Sequence, residues 1–330
     1  MKVIEVENLR KEFQRAKRAA TLGARMKNMI SFGGAADVFR AVEDINFSVT
    51  KGESLAFIGP NGAGKSTTIK MLTGLLQPTS GRVSVLGMDP AERRIELAYR
   101  IGSVFGQKSQ LWLHLPPRDT FELLSRIYRL DRAKYEKRRR TLVELFDLGE
   151  IQDVATRKLS LGQRMRCEVA ASLLHEPEII FLDEPTIGLD PVAKASIRDL
   201  IKRANKEEGV TVFLTSHDSG DIERLCQRVI IVNHGRVIFD DSTQKLRRDY
   251  LTTKEISLKL NREWNERIDI PGVKVLKAKG YGVKLSVDQS VNSIDKVVGG
   301  ILAHGGVEDI TIANQALEDV ITQIYQTPGR

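Results

Sequence analysis

Cysteine is almost missing from this chain: there are two in 330 residues, Cys167 and Cys226. They stand far apart in helix-like contexts, so the expectation is two buried, reduced thiols and neither a disulfide framework nor a zinc cluster. No run of about 18 apolar residues occurs, which argues against a membrane-spanning helix. The opening Met1-Lys2-Val3-Ile4-Glu5-Val6-Glu7 alternates like a strand and lacks the apolar block of a signal peptide. Internal repeats, low-complexity tracts and long coiled-coil stretches are also absent. What is left is ordinary globular composition, 41% hydrophobic and 28% charged, long enough for one large domain and a small one. Acid is in deficit: 51 Lys and Arg against 43 Asp and Glu give a formal charge of +8. That favours an anionic partner, whether nucleotide, nucleic acid or an anionic membrane surface, without choosing among them.

Along the chain, strand-like pieces at Val3 to Leu9, Ala41 to Val49 and Ser54 to Ile58 come first. Between the first two lies a basic stretch, about 15–40, that carries Arg15, Lys17, Arg18, Arg25, Lys27 and Arg40 with Leu22, Met26, Met29, Ile30 and Phe32 interleaved. It reads as an inserted amphipathic segment, either a solvated loop or a contact with a membrane protein or lipid headgroups. A helix over Lys65 to Thr73 and a strand over Arg82 to Leu86 follow. Residues 111–158 keep a helical period, and Lys137-Arg138-Arg139-Arg140 within them reads as a solvated helix face. From Glu178 the pattern alternates strand and helix up to Val232, which is α/β architecture with a helical insert. Composition shifts near Lys245 to Thr253. The remainder reads as strands at Glu255 to Leu260, Val273 to Ala278, Gly282 to Val287 and Glu308 to Ile312, with helices at Val291 to Ala303 and Leu317 to Tyr325. His304 stands alone there, and no catalytic constellation accompanies it.

The chemistry concentrates in a few short runs. Gly59-Pro60-Asn61-Gly62-Ala63-Gly64-Lys65-Ser66, followed by Thr67, fits a phosphate loop between a strand and a helix. Its glycines let backbone wrap phosphates, Lys65 reaches the β- and γ-phosphates, and the Ser66 hydroxyl ligates Mg²⁺. Ile179-Ile180-Phe181-Leu182-Asp183-Glu184 is a buried-type strand that ends in two acids. Asp183 there suits the metal, and Glu184 suits polarising the attacking water. Gln107, after Ile101-Gly102-Ser103-Val104-Phe105-Gly106, reads as a sensor of Mg²⁺ and water. His217 ends the apolar run Phe213-Leu214-Thr215-Ser216 and suits a bond to the γ-phosphate. One further run, Leu159-Ser160-Leu161-Gly162-Gln163, opens a helix. A serine and a glycine at a helix start make an anion site, because free N–H groups and the positive end of the helix dipole point outward. The chain therefore holds two phosphate-binding helix starts.

The ordered set GPNGAGKS, Gln107, LSLGQ, FLDE, Gly188-Leu189-Asp190 and His217 resembles the nucleotide-binding subunit of ATP-binding cassette (ABC) transporters over about 1–245. VFGQKSQLW, LSLGQRMR and EPTIGLD are similar to the bacterial ABC-2 type export branch, alongside drug and daunorubicin exporter ATPases. The resemblance implies an α/β P-loop NTPase core of ABC type with a helical subdomain at about 111–165 and an antiparallel β subdomain. Residues 246–330 would add a small C-terminal α+β domain. It also implies an ATPase with ATP and Mg²⁺ as its cofactors, the Mg²⁺ held by Ser66, Gln107 and Asp183, and Glu184, His217 and Gln107 as the catalytic set. Phe13 matches the aromatic position that stacks on adenine, with Phe39 a weaker candidate.

By the same resemblance Ser160, Gly162 and Gln163 serve ATP bound to a second copy of the chain, and Asp190 couples the two sites. Leu161 departs from the common LSGGQ, which bears on how closely the backbone approaches phosphate. Trp112, Leu113, His114, Leu115 and Pro116 would meet a cytoplasmic helix of a separate ABC-2 type permease, or else pack inside the helical insert. The expectation is a peripheral homodimer on the cytoplasmic face of the inner membrane that powers export and binds no nucleic acid. The rivals are a soluble ABC ATPase acting on nucleic acid or ribosomes and an exporter of lipid or polysaccharide.

Overall fold

In the computed structural model the described residues are 1–15, 37–106, 109–250, 253–264, 270–303, 305–315, 320–321 and 324. Most of the basic stretch, Gln107, His304 and most of the expected last helix lie outside them. The chain divides into two compact units, Met1–Asp240 and Asp241–Arg330.

The first unit runs β1 (Lys2–Arg15), β2 (Asp37–Thr50), β3 (Ser54–Ile58), α1 (Lys65–Leu72), β4 (Ser80–Val85), α2 (Arg94–Ala98), β5 (Ile101–Phe105), α3 (Pro117–Ile127), α4 (Arg132–Leu145), α5 (Leu161–Ser172), β6 (Ile179–Asp183), α6 (Pro191–Glu208), β7 (Thr211–Thr215), α7 (Ser219–Leu225), β8 (Arg228–Asn233) and β9 (Arg236–Ser242). The sheet order is β4-β1-β2-β9-β8-β3-β7-β6-β5. β5, β6, β7, β3 and β8 are parallel, and β4, β1 and β2 are antiparallel. β3 and β7 are buried at every position, as expected of strands covered on both faces. Phe47, Phe57, Phe181 and Phe213, one each from β2, β3, β6 and β7, cluster at centroid distances of 5.3–6.1 Å. Burying each such ring contributes about 1.5–3 kcal/mol. Register then aligns the strand ends: Phe105 pairs with Asp183, and Asp183 with Thr215.

β1 and β2 extend beyond the apolar alternation, because the polar ends of the two strands pair with each other from Glu12↔Arg40 to Arg15↔Asp37. The helical insert breaks into separate helices at residues that dictate it. Pro117 sits in the first turn of α3, and the Asp131 carboxylate caps α4 by accepting from the Ala133 and Lys134 N–H groups. The basic run is not wholly a solvated face. Arg138 is 10% exposed, donates to the Leu173 carbonyl at 3.0 Å and pairs with Glu208 at 2.7 Å. It thereby satisfies a carbonyl at the C-terminus of α5. Both cysteines are buried and free, and burial pushes each thiol up to about 12.

His175 is stacked on Tyr128 at 3.9 Å and lies 2.9 Å from the Ile101 carbonyl. Burial pulls its pKa from 6.5 down to about 4. The unfolded chain therefore takes up a proton near pH 6.5 that the folded chain refuses until about pH 4. Stability should be complete above the upper value and fall across that window by up to about 3 kcal/mol. Urea unfolding at pH 7 and pH 4.5 should show a smaller difference for His175→Gln than for the unmodified chain.

The second unit holds α8 (Thr243–Tyr250), then β10 (Thr253–Leu260), β11 (Val273–Lys279), β12 (Gly282–Asp288), α9 (Ile294–Ala303) and β13 (Val307–Asn314). Its strands form an antiparallel sheet in the order β11-β12-β10-β13. Ile256, Leu258, Leu260, Val283, Leu285 and Val287 alternate onto one face and pack with Val297 and Ile301 of α9.

Candidate functional site

The phosphate loop leaves the buried end of β3 and turns into α1. Two of its glycines are required by geometry. A Cβ on Gly59 would meet the Val232 carbonyl at 2.3 Å, and Gly64 has φ +104° with the Ala41 carbonyl 2.6 Å from where its Cβ would be. Pro60 is half-buried and Asn61 and Gly62 are exposed, Ala63 lies buried behind them, and Thr67 is half-buried beside the exposed Ser66. Lys65 opens α1. Its Nζ donates to the Gly59 carbonyl at 2.6 Å and the Pro60 carbonyl at 3.2 Å. Burial lowers its pKa, while Glu184 and Asp183 oppose the shift. The ammonium is thus folded back on its own loop, within reach of the space a phosphate chain would fill.

The acids arrive from β6. Ser66 Oγ lies 3.2 Å from Asp183 Oδ2, and Thr215 Oγ1 donates to Asp183 Oδ1 at 2.5 Å. Glu184 has left-handed backbone, φ +55°, and its N–H donates to the Thr215 carbonyl at 3.0 Å. A turn of that hand in a glutamate is uncommon, and here it steers the chain out of the sheet immediately after Asp183. His217 comes from the end of β7. Its Nε2 is 3.1 Å from Glu184 Oε1 and 3.3 Å from Lys65 Nζ. One neutral nitrogen either donates to the carboxylate or accepts from the ammonium, so the ring has two alternative partners. Burial and then Lys65 lower the His217 pKa against the pull of Glu184 and Asp183.

Lys65, Ser66, Asp183, Glu184 and His217 therefore converge from β3, β6 and β7. Beside them a cleft of about 250 Å³ is lined by Ser66, Lys70, Phe105, Asp183, Glu184 and Ile187. Among the described residues no group of three or more His, Cys, Asp or Glu surrounds a metal position. A hydroxyl facing one carboxylate oxygen is nonetheless the donor set Mg²⁺ takes when nucleotide phosphates complete its shell.

LSLGQ lies elsewhere. Ser160 caps α5 in a full capping box: its Oγ accepts from Gln163 N–H at 3.2 Å, and Gln163 Oε1 accepts from Ser160 N–H at 2.9 Å. Asp190 caps α6 through the Val192 and Ala193 N–H groups at 2.9 and 3.0 Å. A Cβ on Gly162 would meet Ala193 Cβ at 2.9 Å, so this glycine lets the two helix starts approach. Ser160, Gly162, Gln163, Arg166, Asp190 and Ala193 line a second cleft of about 390 Å³. The two clefts share no lining residue. Within one chain, Ser160 and Gly162 thus line a different cleft from Ser66, Asp183 and Glu184.

Phe13 and Phe39 face each other across β1 and β2 and are similarly exposed, and Lys11 Nζ sits 5.3 Å from the Phe13 ring. Trp112, Leu113 and Leu115 are exposed at 43%, 45% and 40%, so they do not fill the core of the helical insert.

Three participants escaped the motif reading. Gly106 must be glycine, because a Cβ would meet the Glu184 carbonyl at 2.8 Å. Thr215 holds Asp183. Asp221, wholly buried, accepts from Thr186 Oγ1 at 2.5 Å, Ser216 Oγ at 2.6 Å and Arg198 Nε at 2.6 Å. Arg198 also binds Asp218 at 2.7 Å. This network joins the residues after Glu184 to those on both sides of His217. Asp221→Ala removes one of the two carboxylates that hold the buried Arg198 and the acceptor of the Thr186 and Ser216 hydroxyls, and should cost roughly 3–5 kcal/mol in urea unfolding. Asp221→Asn, which keeps an acceptor, should cost less.

The family described as ABC transporter matches residues 42–187. The probable multidrug ABC transporter ATP-binding protein YbhF of Escherichia coli is 41% identical over 212 residues, 63% of this chain and 36% of that one. The chain thus spans little more than a third of that relative. The ABC transporter ATP-binding protein NatA of Bacillus subtilis is 32% identical over 209 residues, covering 63% of this chain and 85% of NatA. A dimeric ATP-binding cassette, solved in a post-hydrolysis state with ADP and Pi, superposes with TM-score 0.59 and 26% identity, over 72% of this chain and 98% of the other.

Proposed function

This chain belongs to the ATP-binding proteins of ABC transporters, and from that premise we propose that it hydrolyses ATP as a homodimer to power export through a separate ABC-2 type permease. The observation that carries the reading is the convergence of Lys65, Ser66, Asp183, Glu184 and His217 at the ends of three adjacent strands, with LSLGQ in a different cleft of the same chain.

In this reading the phosphate loop, Gly59 to Thr67, wraps the phosphates of ATP, and Phe13 stacks on the base. Lys65 exchanges its bonds to the Gly59 and Pro60 carbonyls for bonds to the β- and γ-phosphate oxygens. Ser66, Asp183 and Gln107 would hold Mg²⁺, which would neutralise phosphate charge when bound. Glu184 accepts the proton of the water that attacks the γ-phosphorus, and the bond to the bridging oxygen of ADP breaks. His217, kept neutral by burial and by Lys65, donates Nε2–H to a γ-phosphate oxygen; ATP thereby takes it from Glu184 and frees the carboxylate to act as base. Ser160, Gly162 and Gln163 of the second copy close on the same γ-phosphate, and Asp190 couples the two sites. Several charge-assisted hydrogen bonds of about 1.5–3 kcal/mol each form only on closure, so the dimer tightens with ATP and loosens after hydrolysis.

Among the described residues no helix is long and apolar enough to cross a membrane. A polytopic partner supplies the passage in this proposal. The exposed Trp112, Leu113 and Leu115 suit contact with one of its cytoplasmic helices. The name of YbhF supports export of drug-like molecules. Affinity capture from detergent-solubilised membranes should recover a polytopic membrane protein in stoichiometric amount. Capture of nucleic acid or ribosomes instead, with a steep salt dependence, would favour the soluble rival.

A further inference from the structure

Glu168 is a buried acid on α5, roughly two turns beyond Ser160, and the chemistry proposed above does not use it. Its neighbours on the helix, Met165, Cys167, Val169 and Ala170, are apolar or small and buried. An apolar side chain of the same volume would pack there without the desolvation cost of a carboxylate. The carboxylate instead holds a segment from outside the helix. The Ser109 hydroxyl donates to its Oε1, and the Gln110 N–H donates to its Oε2 at 3.2 Å. The Gln110 side-chain amide donates to the Glu168 main-chain carbonyl at 3.1 Å. Ser109 Oγ in turn accepts from the Leu111 N–H at 3.1 Å. Burial raises the Glu168 pKa, and the Ser109, Gln110 and Leu111 donors oppose that rise.

The clamp therefore joins α5, which begins at Ser160, to the three residues that follow Gln107 and Lys108. In the dimer reading, on which this inference rests, Gln107 serves the ATP of its own chain and Ser160 serves the ATP of the partner. We propose that Glu168 is a positioning residue that couples the two ATP sites: a change at Gln107 is carried through Ser109 and Gln110 to α5 instead of being absorbed in the loop. Allosteric coupling commonly corresponds to roughly a 5–150-fold change in affinity. Removal of the clamp should abolish cooperativity between the sites while each site keeps its own groups.

The test is the ATP dependence of the hydrolysis rate for the unmodified chain, Glu168→Met and Glu168→Gln. Methionine keeps the volume and removes the acceptors; glutamine keeps one acceptor oxygen. The unmodified chain should give a Hill coefficient well above one. Glu168→Met should bring it to about one, with melting temperature and ATP affinity of the lone chain little changed. Glu168→Gln should recover part of the cooperativity. An unchanged Hill coefficient in Glu168→Met would overturn the proposal. So would parallel losses of lone-chain ATP affinity and melting temperature, which mark a purely structural role. An unmodified chain that hydrolyses ATP without ever dimerising would overturn the dimer reading itself, and the coupling with it.

Discussion

Replacing Glu184 by glutamine should slow ATP hydrolysis by roughly 10²–10⁴-fold, the usual contribution of a general base. Glutamine has the size of glutamate and an oxygen at the position of one carboxylate oxygen, so the left-handed backbone at this residue and the Thr215 contacts to its N–H should persist. Lys65, Ser66 and Asp183 are untouched, and ATP affinity should stay within a few-fold. Binding without turnover has a visible consequence. On the proposed cycle hydrolysis opens the closed dimer, so the variant should accumulate it with ATP and elute as a dimer in size-exclusion chromatography. Near-normal turnover in Glu184→Gln would remove the base assignment.

The second large effect is at Ser160. Ser160→Arg should abolish hydrolysis, because its bulk fills the cleft that the proposed dimer uses for the partner's γ-phosphate. It should leave ATP binding by the lone chain intact, since Ser66 and Asp183 line one cleft and Ser160 another. Ser160 is also the cap of α5, so the arginine forfeits about 1 kcal/mol of helix stability as well. Ser160→Asp separates the two effects. It keeps a cap acceptor but brings a negative charge against phosphate, and it should lose hydrolysis with little loss in melting temperature. Loss of ATP binding by the lone chain in Ser160→Asp would mean that the serine acts within its own subunit.

The contrast between Ser66 and Asp221 shows what a sequence discloses about a site. Gly59 to Ser66 is legible because the requirement is local: Gly64 needs a left-handed backbone and a close approach, and spacing alone announces it. β3 and β7 are legible for the same reason, since strands buried on both faces become short apolar runs. Asp221 is invisible in the sequence because two of its partners, Thr186 and Arg198, stand 35 and 23 residues away and only the assembled fold brings them to it. Arg138 misleads in the opposite way. Four successive basic residues read as a wet face, yet the helix turns one of them toward Leu173 and Glu208. β9 is not legible in the sequence, because Arg236–Ser242 shows neither alternation nor a buried run; it is a half-covered strand placed between β2 and β8. The signature is legible as a helix start, and its place in a cleft apart from Ser66 and Asp183 needs the fold.

That separation makes the central claim testable by mixing two inactive chains. Glu184→Gln lacks the base but keeps its LSLGQ; Ser160→Asp lacks the signature hydroxyl but keeps its own base. In a mixed dimer one site combines both defects, and the other combines an intact Glu184 with an intact Ser160 from the opposite chain. The account predicts that an equimolar mixture regains ATP hydrolysis, because random pairing makes about half the dimers mixed and each of these holds one complete site. A mixture as inactive as its components, with mixed dimers shown to form, would contradict it.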